Sequence, residues 1–510
     1  MGKKAGETDG TGKERKTGSV SETKSRGKLL RGRDYLDLDA VFDTVDHTVS
    51  VCGEEYLYTA LRMPVTTTEI REERERLMKL FAENQKAREA VQKALLLMGK
   101  EKMNPPTEEI AVLMEAEPGE KGKYLLMAGI AVLGIGLLFV LPPLGVAVLF
   151  ASMVGNGLMH GRESKKLESA LKAFGCILRL QRTARELGKE KISGLEMYQK
   201  RLEEQEKQLR PITRKCRTLV NTKESQGGAA NMIFAYFHTF FLLDLIEYSS
   251  VVSGVKSYEK AILQMAEDLG LLDFALSAAS CRPEFLDEKK AGCRIDAEEL
   301  YHPLLTHPVA NSLYAEGGIL LTGSNASGKS TFMKNMAVNA ILAQALNTSL
   351  SKRYRGVVCR IMTSMALRDN LAQGESYFVV EVKSLKRILE ASREKTPLLC
   401  VIDEVLRGTN TTERIAASES VLAALRRANV LCLAATHDTE LTYLLEDLYT
   451  NYHFEEQITA QSISFPYRLE QGPARGKNAI ALLGNMGIDE KIVKQAERRA
   501  AEFETTGSWE

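Results

Sequence analysis

The sequence has little net charge and no closely spaced cysteines. Its 68 Lys and Arg residues against 67 Asp and Glu leave a formal net charge of +1. It therefore has no overall basic excess of the kind that a dedicated DNA coat protein carries. The eight cysteines are scattered without a C-x-x-C pair, which predicts a reduced, cytosolic domain without disulfides or structural zinc. The first residues lack the apolar core of a secretory signal.

The charge is uneven at the start of the chain. Residues 1–33 contain ten Lys and Arg, four Asp and Glu, and few large apolar side chains. This composition predicts a disordered basic tail, which either contacts DNA or anionic lipid or only improves solubility. A chain of 510 residues is long enough for two or three domains with cores of their own.

A phosphate-binding loop is the most informative motif. Residues 323–330 read Gly-Ser-Asn-Ala-Ser-Gly-Lys-Ser, the pattern G-x-x-x-x-G-K-[ST]. Residues 318–322 are predicted as a buried strand before it and residues 331–344 as a helix after it, which is the context that the motif requires. Backbone N–H groups of such a loop hold phosphates, the lysine reaches the β and γ oxygens, and the last hydroxyl binds Mg²⁺. We assign ATP binding to five residues of this loop and helix: Gly323, Gly328, Lys329, Ser330 and Thr331.

Two further apolar runs end in residues suited to ATP hydrolysis. Residues 398–402 lead into Asp403 and Glu404; the aspartate is predicted to bind Mg²⁺ with Ser330, and the glutamate to polarise the attacking water. Residues 430–436 form another predicted strand, which is followed by His437. A histidine at the carboxyl edge of a sheet is placed to contact the γ-phosphate. The alternative is an ordinary surface histidine.

The order of these motifs resembles the MutS mismatch-repair ATPases. Residues 374–382 resemble the family's signature helix, residues 403–411 its Walker B strand and D-loop, and residues 436–441 its T-H-x-x-E-L motif. Asn325 also matches and is added to the ATP-binding residues. The resemblance covers residues 296–505 and implies an α/β P-loop NTPase of the ABC/MutS type. Val405 and Leu406 stand where the family usually has Ile-Gly.

The resemblance also implies a dimer with shared ATP sites. In such a homodimer Ser376 of one subunit approaches the γ-phosphate held by Lys329 and Ser330 of the other. Tyr301 and His302 lie in the strand and loop that the family places beside the adenine. The required cofactors are then ATP and Mg²⁺, and the partner that the family name implies is mismatched or branched DNA.

The second informative segment is apolar and uncharged. Residues 124–159 contain no charged side chain over 36 positions, with two prolines in the middle. A ~30 Å hydrocarbon layer needs about 20 helical residues, so the two halves each approach one span. We predict a transmembrane helical hairpin over residues 121–162, and the alternative is a very apolar core or re-entrant hairpin. Lysines and arginines on both flanks predict that both ends and the ATPase lie on the cytoplasmic side of the cell membrane.

The remaining chain is predicted to be mostly helical. A MutS-like lever domain is assigned to residues 34–120 and 216–295, separated by the hairpin and by a charged, coiled-coil-like segment at 163–215, and the ATPase with its C-terminal dimerisation helices to 296–510. The sequence has no Phe-x-Glu mismatch-reading motif ahead of this lever-like region and no LSGGQ signature of a transporter. Two hypotheses remain: a membrane-tethered ATPase that couples nucleotide state to DNA, or an ATP-driven switch that acts on protein or lipid partners.

Overall fold

The computed structural model describes residues 36–63, 67–100, 104–224, 236–277, 284–285, 293–324, 327–365, 377–406, 409–458, 463–474, 480, 483–484 and 487–508. The described residues divide into two units. The first contains residues 48–56 and 80–276, and the second contains residues 36–47, 57–79 and those after 276. The predicted basic tail at 1–33 lies outside the described residues.

The first unit is built from helices. In chain order the helices before the first strand are α1 (Leu38–Val45), α2 (Val51–Arg62), α3 (Thr68–Glu83), α4 (Gln85–Leu95), α5 (Pro106–Glu115), α6 (Lys121–Val140), α7 (Pro142–Leu187), α8 (Glu196–Glu224), α9 (Leu243–Val255) and α10 (Glu259–Ser277). Of these, α1 and most of α3 belong to the second unit, and α2 begins in the first unit and ends in the second. Buried Asp273 of α10 accepts hydrogen bonds from the Ser50 amide at 2.7 Å and the Ser50 hydroxyl at 2.6 Å. These bonds cap the start of α2 and attach it to the first unit.

The apolar segment forms two adjacent helices, α6 and α7. Pro142 occupies the first position of α7, where its missing N–H leaves no helical bond unmade. Gly145 packs so closely on α6 that a Cβ there would lie 2.6 Å from the Leu138 amide nitrogen. The 46 residues of α7 give a length of about 69 Å. The helix ends at Leu187, past the predicted hairpin end at residue 162. Beyond residue 162 it buries Leu167, Phe174 and Leu180.

Both hairpin helices are long and apolar enough to cross a membrane. Their most apolar 18-residue windows have mean hydropathies of 2.1 and 1.4, and only 17% of each window is buried within the protein. Fifteen large apolar side chains between residues 125 and 158 are exposed by 40% or more, and Phe139 reaches 86%. A helix at the centre of a soluble core would be mostly buried, so these helices present an apolar surface instead.

The described residues of the second unit contain three sheets, of which the smallest is the antiparallel pair of β10 and β11. Their strands are β1 (Glu284–Phe285), β2 (Arg294–Leu300), β3 (Asn311–Glu316), β4 (Gly318–Thr322), β5 (Arg353–Gly356), β6 (Arg360–Ser364), β7 (Leu398–Asp403), β8 (Val430–Ala435), β9 (Tyr449–Phe454), β10 (Gln457–Ile458), β11 (Ile463–Ser464) and β12 (Leu469–Gln471). The six-stranded sheet has the order β12-β9-β4-β8-β7-β6, and only its β12–β9 pair is antiparallel. The four-stranded sheet has the order β1-β5-β2-β3.

Every residue of β4, β7 and β8 is buried. The helices of this unit are α11 (Lys329–Leu346), α12 (Tyr377–Ala391), α13 (Thr411–Leu425), α14 (Glu440–Leu444) and α15 (Glu490–Thr506). Parallel strands covered on both faces are apolar throughout, which is the pattern that the sequence showed. The predicted strands at 318–322, 398–404 and 430–436 and the predicted helix at 331–344 are confirmed within two residues at each end.

Part of the region assigned to the lever belongs to the second unit. Residues 57–79 group with the ATPase residues. The buried guanidinium of Arg74 donates to the Ala345 carbonyl at 2.6 Å, and the Asn347 amide donates to the Arg71 carbonyl at 3.2 Å. These bonds satisfy carbonyl groups at the end of α11 and within α3, so residues 57–79 stabilise the end of the ATPase helix.

Candidate active site

The candidate site lies where three neighbouring parallel strands end. Strand β4 pairs with β8, and β8 pairs with β7, so their carboxyl ends share one edge of the sheet. Ligands of open parallel sheets bind at this edge. The loops that follow these strands carry the predicted phosphate, Mg²⁺ and water ligands, and the topology therefore brings them together.

The phosphate-binding loop depends on two glycines. Gly323 has φ 136° and Gly328 has φ 102°, values that other residues rarely adopt. A Cβ at Gly323 would lie 2.5 Å from the Phe454 carbonyl oxygen, so β9 leaves no room for a side chain. Asn325 lies outside the described residues.

The Lys329 ammonium is folded over this loop. Its Nζ donates to the Gly323 carbonyl at 2.6 Å and the Ser324 carbonyl at 2.7 Å. The residue is 4% exposed, and a buried ammonium needs acceptors around it. A triphosphate oxygen is a stronger acceptor than a carbonyl, so the same ammonium can bind phosphate with little movement.

The predicted Mg²⁺ ligands are in direct contact. The Ser330 hydroxyl in the first turn of α11 donates to Asp403 Oδ2 at 2.9 Å. Asp403 is the last residue of β7 and is 8% exposed. A hydroxyl and a carboxylate are oxygen ligands of the kind that Mg²⁺ prefers, so this pair fits the ion. Thr331, also assigned to ATP binding, follows in the same first turn of α11.

The predicted catalytic glutamate and the predicted sensor lie side by side. His437 Nε2 lies 2.8 Å from Glu404 Oε1. Both side chains reach solvent, with exposures of 36% and 21%. Glu404 has φ 60°, and its amide donates to the Ala435 carbonyl at 3.0 Å. A non-glycine residue in this conformation is strained, and such strain concentrates at functional sites.

Glu381, to which no sequence motif assigns a role, holds the loop after Glu404. Glu381 of α12 is 2% exposed, and its Oε1 accepts from the Leu406 amide at 2.6 Å. Leu406 has φ 56°, a conformation that glycine adopts most easily. This explains why the MutS ATPases usually have glycine at this position. The signal was present in the sequence, because Glu381 is the only acid among the aromatic and aliphatic residues 377–382.

A second missed interaction orients the His437 loop. Arg414 of α13 donates to both Asp438 oxygens, at 2.9 and 2.5 Å. The Asp438 amide donates in turn to the Thr436 hydroxyl at 3.0 Å. A bidentate guanidinium–carboxylate pair fixes geometry as well as charge, so the residues on both sides of His437 are held.

An aromatic side chain that the sequence did not single out lies beside the loop. A Cβ at Gly328 would be 3.0 Å from Tyr467 Cδ1. Tyr467 is 46% exposed, and its carbonyl accepts from the Asn311 amide at 3.0 Å. Its ring is stacked with that of Phe465, with 6.1 Å between the ring centroids, and an exposed aromatic ring is also a surface on which a base can stack. On the other side of the loop, the Ser324 hydroxyl donates to Glu456 Oε2 at 3.1 Å.

Tyr301 and His302 are not brought to the phosphate-binding loop. The Tyr301 carbonyl accepts from Asn339 of α11 at 3.1 Å, and ten helical residues separate Asn339 from Lys329, about 15 Å. His302 is buried, and burial, with the charge of Lys334, lowers its pKa. Both assignments to the adenine stay predictions, and Tyr467 is the aromatic residue nearer to the loop. Ser376 lies outside the described residues, so its role also stays a prediction.

Comparison with known proteins agrees with this site. Residues 319–504 match the family model described as MutS domain V. A segment covering 52% of the chain is 30% identical over 285 residues to the DNA mismatch repair protein MutS of Leptospira interrogans serogroup Icterohaemorrhagiae serovar copenhageni (strain Fiocruz L1-130). The proteins of that name from Methanosarcina mazei and Thermotoga sp. (strain RQ2) are 27% and 28% identical over 279 and 266 residues, 50% and 49% of the chain. The matched segments span about a third of these relatives: 33%, 30% and 33%.

Proposed function

We propose that this chain, which belongs to the MutS family through its C-terminal half, is an ATP hydrolase attached to a membrane by its helical hairpin. One observation carries the hydrolase proposal. Lys329, Ser330, Asp403, Glu404 and His437 come from three separate stretches of sequence and meet at one edge of one sheet. A chance match to a phosphate-binding motif would not bring the other four groups into this arrangement.

Each residue has a distinct role in this proposal. Lys329 and the loop amides bind the phosphates, and Ser330 and Asp403 hold Mg²⁺. Mg²⁺ held there would neutralise the charge that develops on the phosphate oxygens. Glu404 Oε2 accepts the proton of the attacking water while its Oε1 remains paired with His437. Tyr467 stacks on the base.

The proposed dimer completes the site. The resemblance implies that Ser376 of a second subunit donates to the γ-phosphate, with its helix N-terminus adding a favourable dipole. Ser376→Ala is then expected to slow ATP turnover in the dimer while nucleotide binding survives. Unchanged turnover in this variant would remove the shared-site proposal without affecting the hydrolase proposal.

The membrane proposal is supported by the exposure and the flanks of the hairpin. Two helices whose apolar windows are 17% buried need an apolar environment. Lys121 and Lys123 precede the segment, and Arg162, Lys165 and Lys166 follow it. Positive residues at both ends favour two spans with both ends in the cytoplasm, and therefore a cytoplasmic ATPase at the cell membrane.

DNA is the proposed partner because the curated relatives carry the name DNA mismatch repair protein. The helices after the hairpin favour the alternative, a switch that acts on protein or lipid. Several of their lysines pair with glutamates one turn away: Lys166 with Glu163 at 3.2 Å, Lys189 with Glu186 at 2.6 Å and Lys207 with Glu203 at 2.7 Å. A face with alternating charge attracts phosphates weakly.

The test uses the full-length protein in nanodiscs. ATP turnover is measured first, and then labelled homoduplex, mismatched and branched DNA are titrated with ATP, ADP and no nucleotide at two salt concentrations. Binding that depends on nucleotide and weakens with salt would support the DNA partner, since the salt slope counts neutralised phosphates. Turnover without DNA binding would favour the protein or lipid partner. Absence of turnover under every condition would overturn the hydrolase proposal.

A further inference from the structure

Three side chains with metal-binding atoms converge on the outer strands of the six-stranded sheet. His453 is the last residue but one of β9, and Glu455 is the first residue after this strand. Glu470 of β12 lies directly opposite His453 in the antiparallel pair. One ligand atom from each residue lies within 4.8 Å of one from each of the others.

The histidine is oriented as a metal ligand. His453 is 8% exposed, and its Nδ1 lies 3.0 Å from the Gly472 carbonyl oxygen. A carbonyl only accepts, so Nδ1 is the donor, and in the neutral imidazole this leaves the lone pair on Nε2. This second hydrogen bond is what fixes the ring of a metal-binding histidine. Nε2 points toward the acids, with Glu470 Oε2 at 3.9 Å, beyond hydrogen-bonding distance.

We propose that His453, Glu455 and Glu470 bind Zn²⁺, with water at the remaining position. Ligands bound tetrahedrally at ~2.0–2.1 Å lie roughly 3.4 Å apart, so the 3.9 Å between His453 and Glu470 needs only a small closure. Glu455 and Glu470 are exposed and free to make it. A neutral imidazole with two carboxylates suits zinc, whereas Mg²⁺ prefers oxygen ligands alone. The site contains no cysteine, so it differs from the cysteine-rich zinc sites that the sequence argued against.

The site is one residue away from the phosphate-binding loop. His453 pairs with Thr322, the residue before Gly323, and the next carbonyl, that of Phe454, faces Gly323. Strand β12 begins two residues after Tyr467, and the Leu469 amide and the Tyr467 carbonyl bind the same Asn311 side chain. Zinc bound between β9 and β12 would therefore restrain both the loop and the aromatic side chain beside it.

The experiment measures Zn²⁺ binding to the full-length protein in nanodiscs without nucleotide, so it does not depend on ATP hydrolysis. Isothermal titration with Zn²⁺ is expected to show one site per chain. His453→Gln and Glu470→Gln are each expected to weaken it by at least about tenfold, as loss of a ligand costs no less than loss of a supporting contact. The matched control is Glu446→Gln, an exposed glutamate outside the cluster.

Hydrogen exchange provides a second measurement. Zn²⁺ is expected to slow exchange of amides in β9 and β12 in the unchanged protein and in Glu446→Gln, but not in Glu470→Gln. A millimolar excess of Mg²⁺ should leave the zinc isotherm unchanged. Absence of the one-site isotherm, or equal zinc affinity in all variants, would overturn the proposal.

Discussion

The ATPase strands and the hairpin helices have the same kind of sequence and opposite surroundings. Residues 398–402 of β7 and residues 124–159 of the hairpin are both apolar runs without a charged side chain. All six residues of β7 are buried, whereas the hairpin windows are 17% buried. An apolar run therefore predicts that the segment needs an apolar environment. It does not predict whether protein or lipid supplies that environment.

Backbone hydrogen bonding explains the difference. The N–H and C=O groups of a strand need hydrogen-bond partners on neighbouring strands, and β7 finds these partners on β6 and β8. A helix satisfies these groups within itself, so α6 and α7 need no further protein around them. The same apolar composition therefore stabilises the middle of a sheet in one region and an exposed hairpin in the other.

The largest expected effect is at the end of the buried strands. Glu404→Gln removes the proposed base and is expected to lower ATP turnover by roughly 100-fold or more. Nucleotide affinity should be kept, because Lys329 and Ser330 are unchanged. Steady-state turnover and equilibrium nucleotide binding check this, with Glu446→Gln as the control. A turnover within about threefold of the unchanged protein would exclude Glu404 as the base.

The same substitution in the two regions should have unequal effects. Leu399→Ala in β7 removes a side chain with 0% exposure, which typically costs about 2–5 kcal/mol of stability. Leu133→Ala in the hairpin removes a side chain with 61% exposure and should leave the folded protein almost unchanged. Thermal unfolding in detergent, followed by loss of nucleotide binding, measures both. Equal shifts in the melting temperature would contradict the contrast between the two regions.

A charged residue in the hairpin tests directly whether the hairpin enters lipid. Leu133→Arg places a guanidinium in α6 and is expected to disfavour insertion by about 2.5–3.5 kcal/mol. The measurement is the fraction of protein that floats with lipid vesicles after an alkaline wash. Glu115→Arg, on the exposed side of the preceding helix, is the control. Equal flotation of the two variants would argue that the hairpin does not enter the lipid.

The smallest expected effect is in the loop after β7. Glu381→Ala removes the acceptor that holds the Leu406 amide at 2.6 Å, and an unsatisfied buried amide costs about 1–3 kcal/mol. Glu381→Gln keeps a carbonyl oxygen at the same place and should lose less. Melting temperature and ATP turnover should both fall in the order unchanged, Gln, Ala. Equal effects of Gln and Ala would show that the charge, which both variants remove, matters more than the hydrogen bond.

The sequence alone was enough to predict the phosphate-binding loop, its flanking strand and helix, and the acids at the end of β7. These features are local: the glycines are required by the backbone conformation, and the strands are apolar because both faces are covered. The two hairpin helices were also predictable, because a long uncharged run interrupted by two prolines has few other solutions.

The tertiary structure was needed to show which distant residues join the site. Glu381, Tyr467 and the His453 cluster come close to the loop through strand order and helix packing, which no spacing in the sequence encodes. It also showed that Tyr467 is the aromatic residue nearer to the phosphate-binding loop, because about three turns of α11 separate Tyr301 from this loop. Local patterns fix the elements of a site, whereas the pairing of strands fixes which side chains share it.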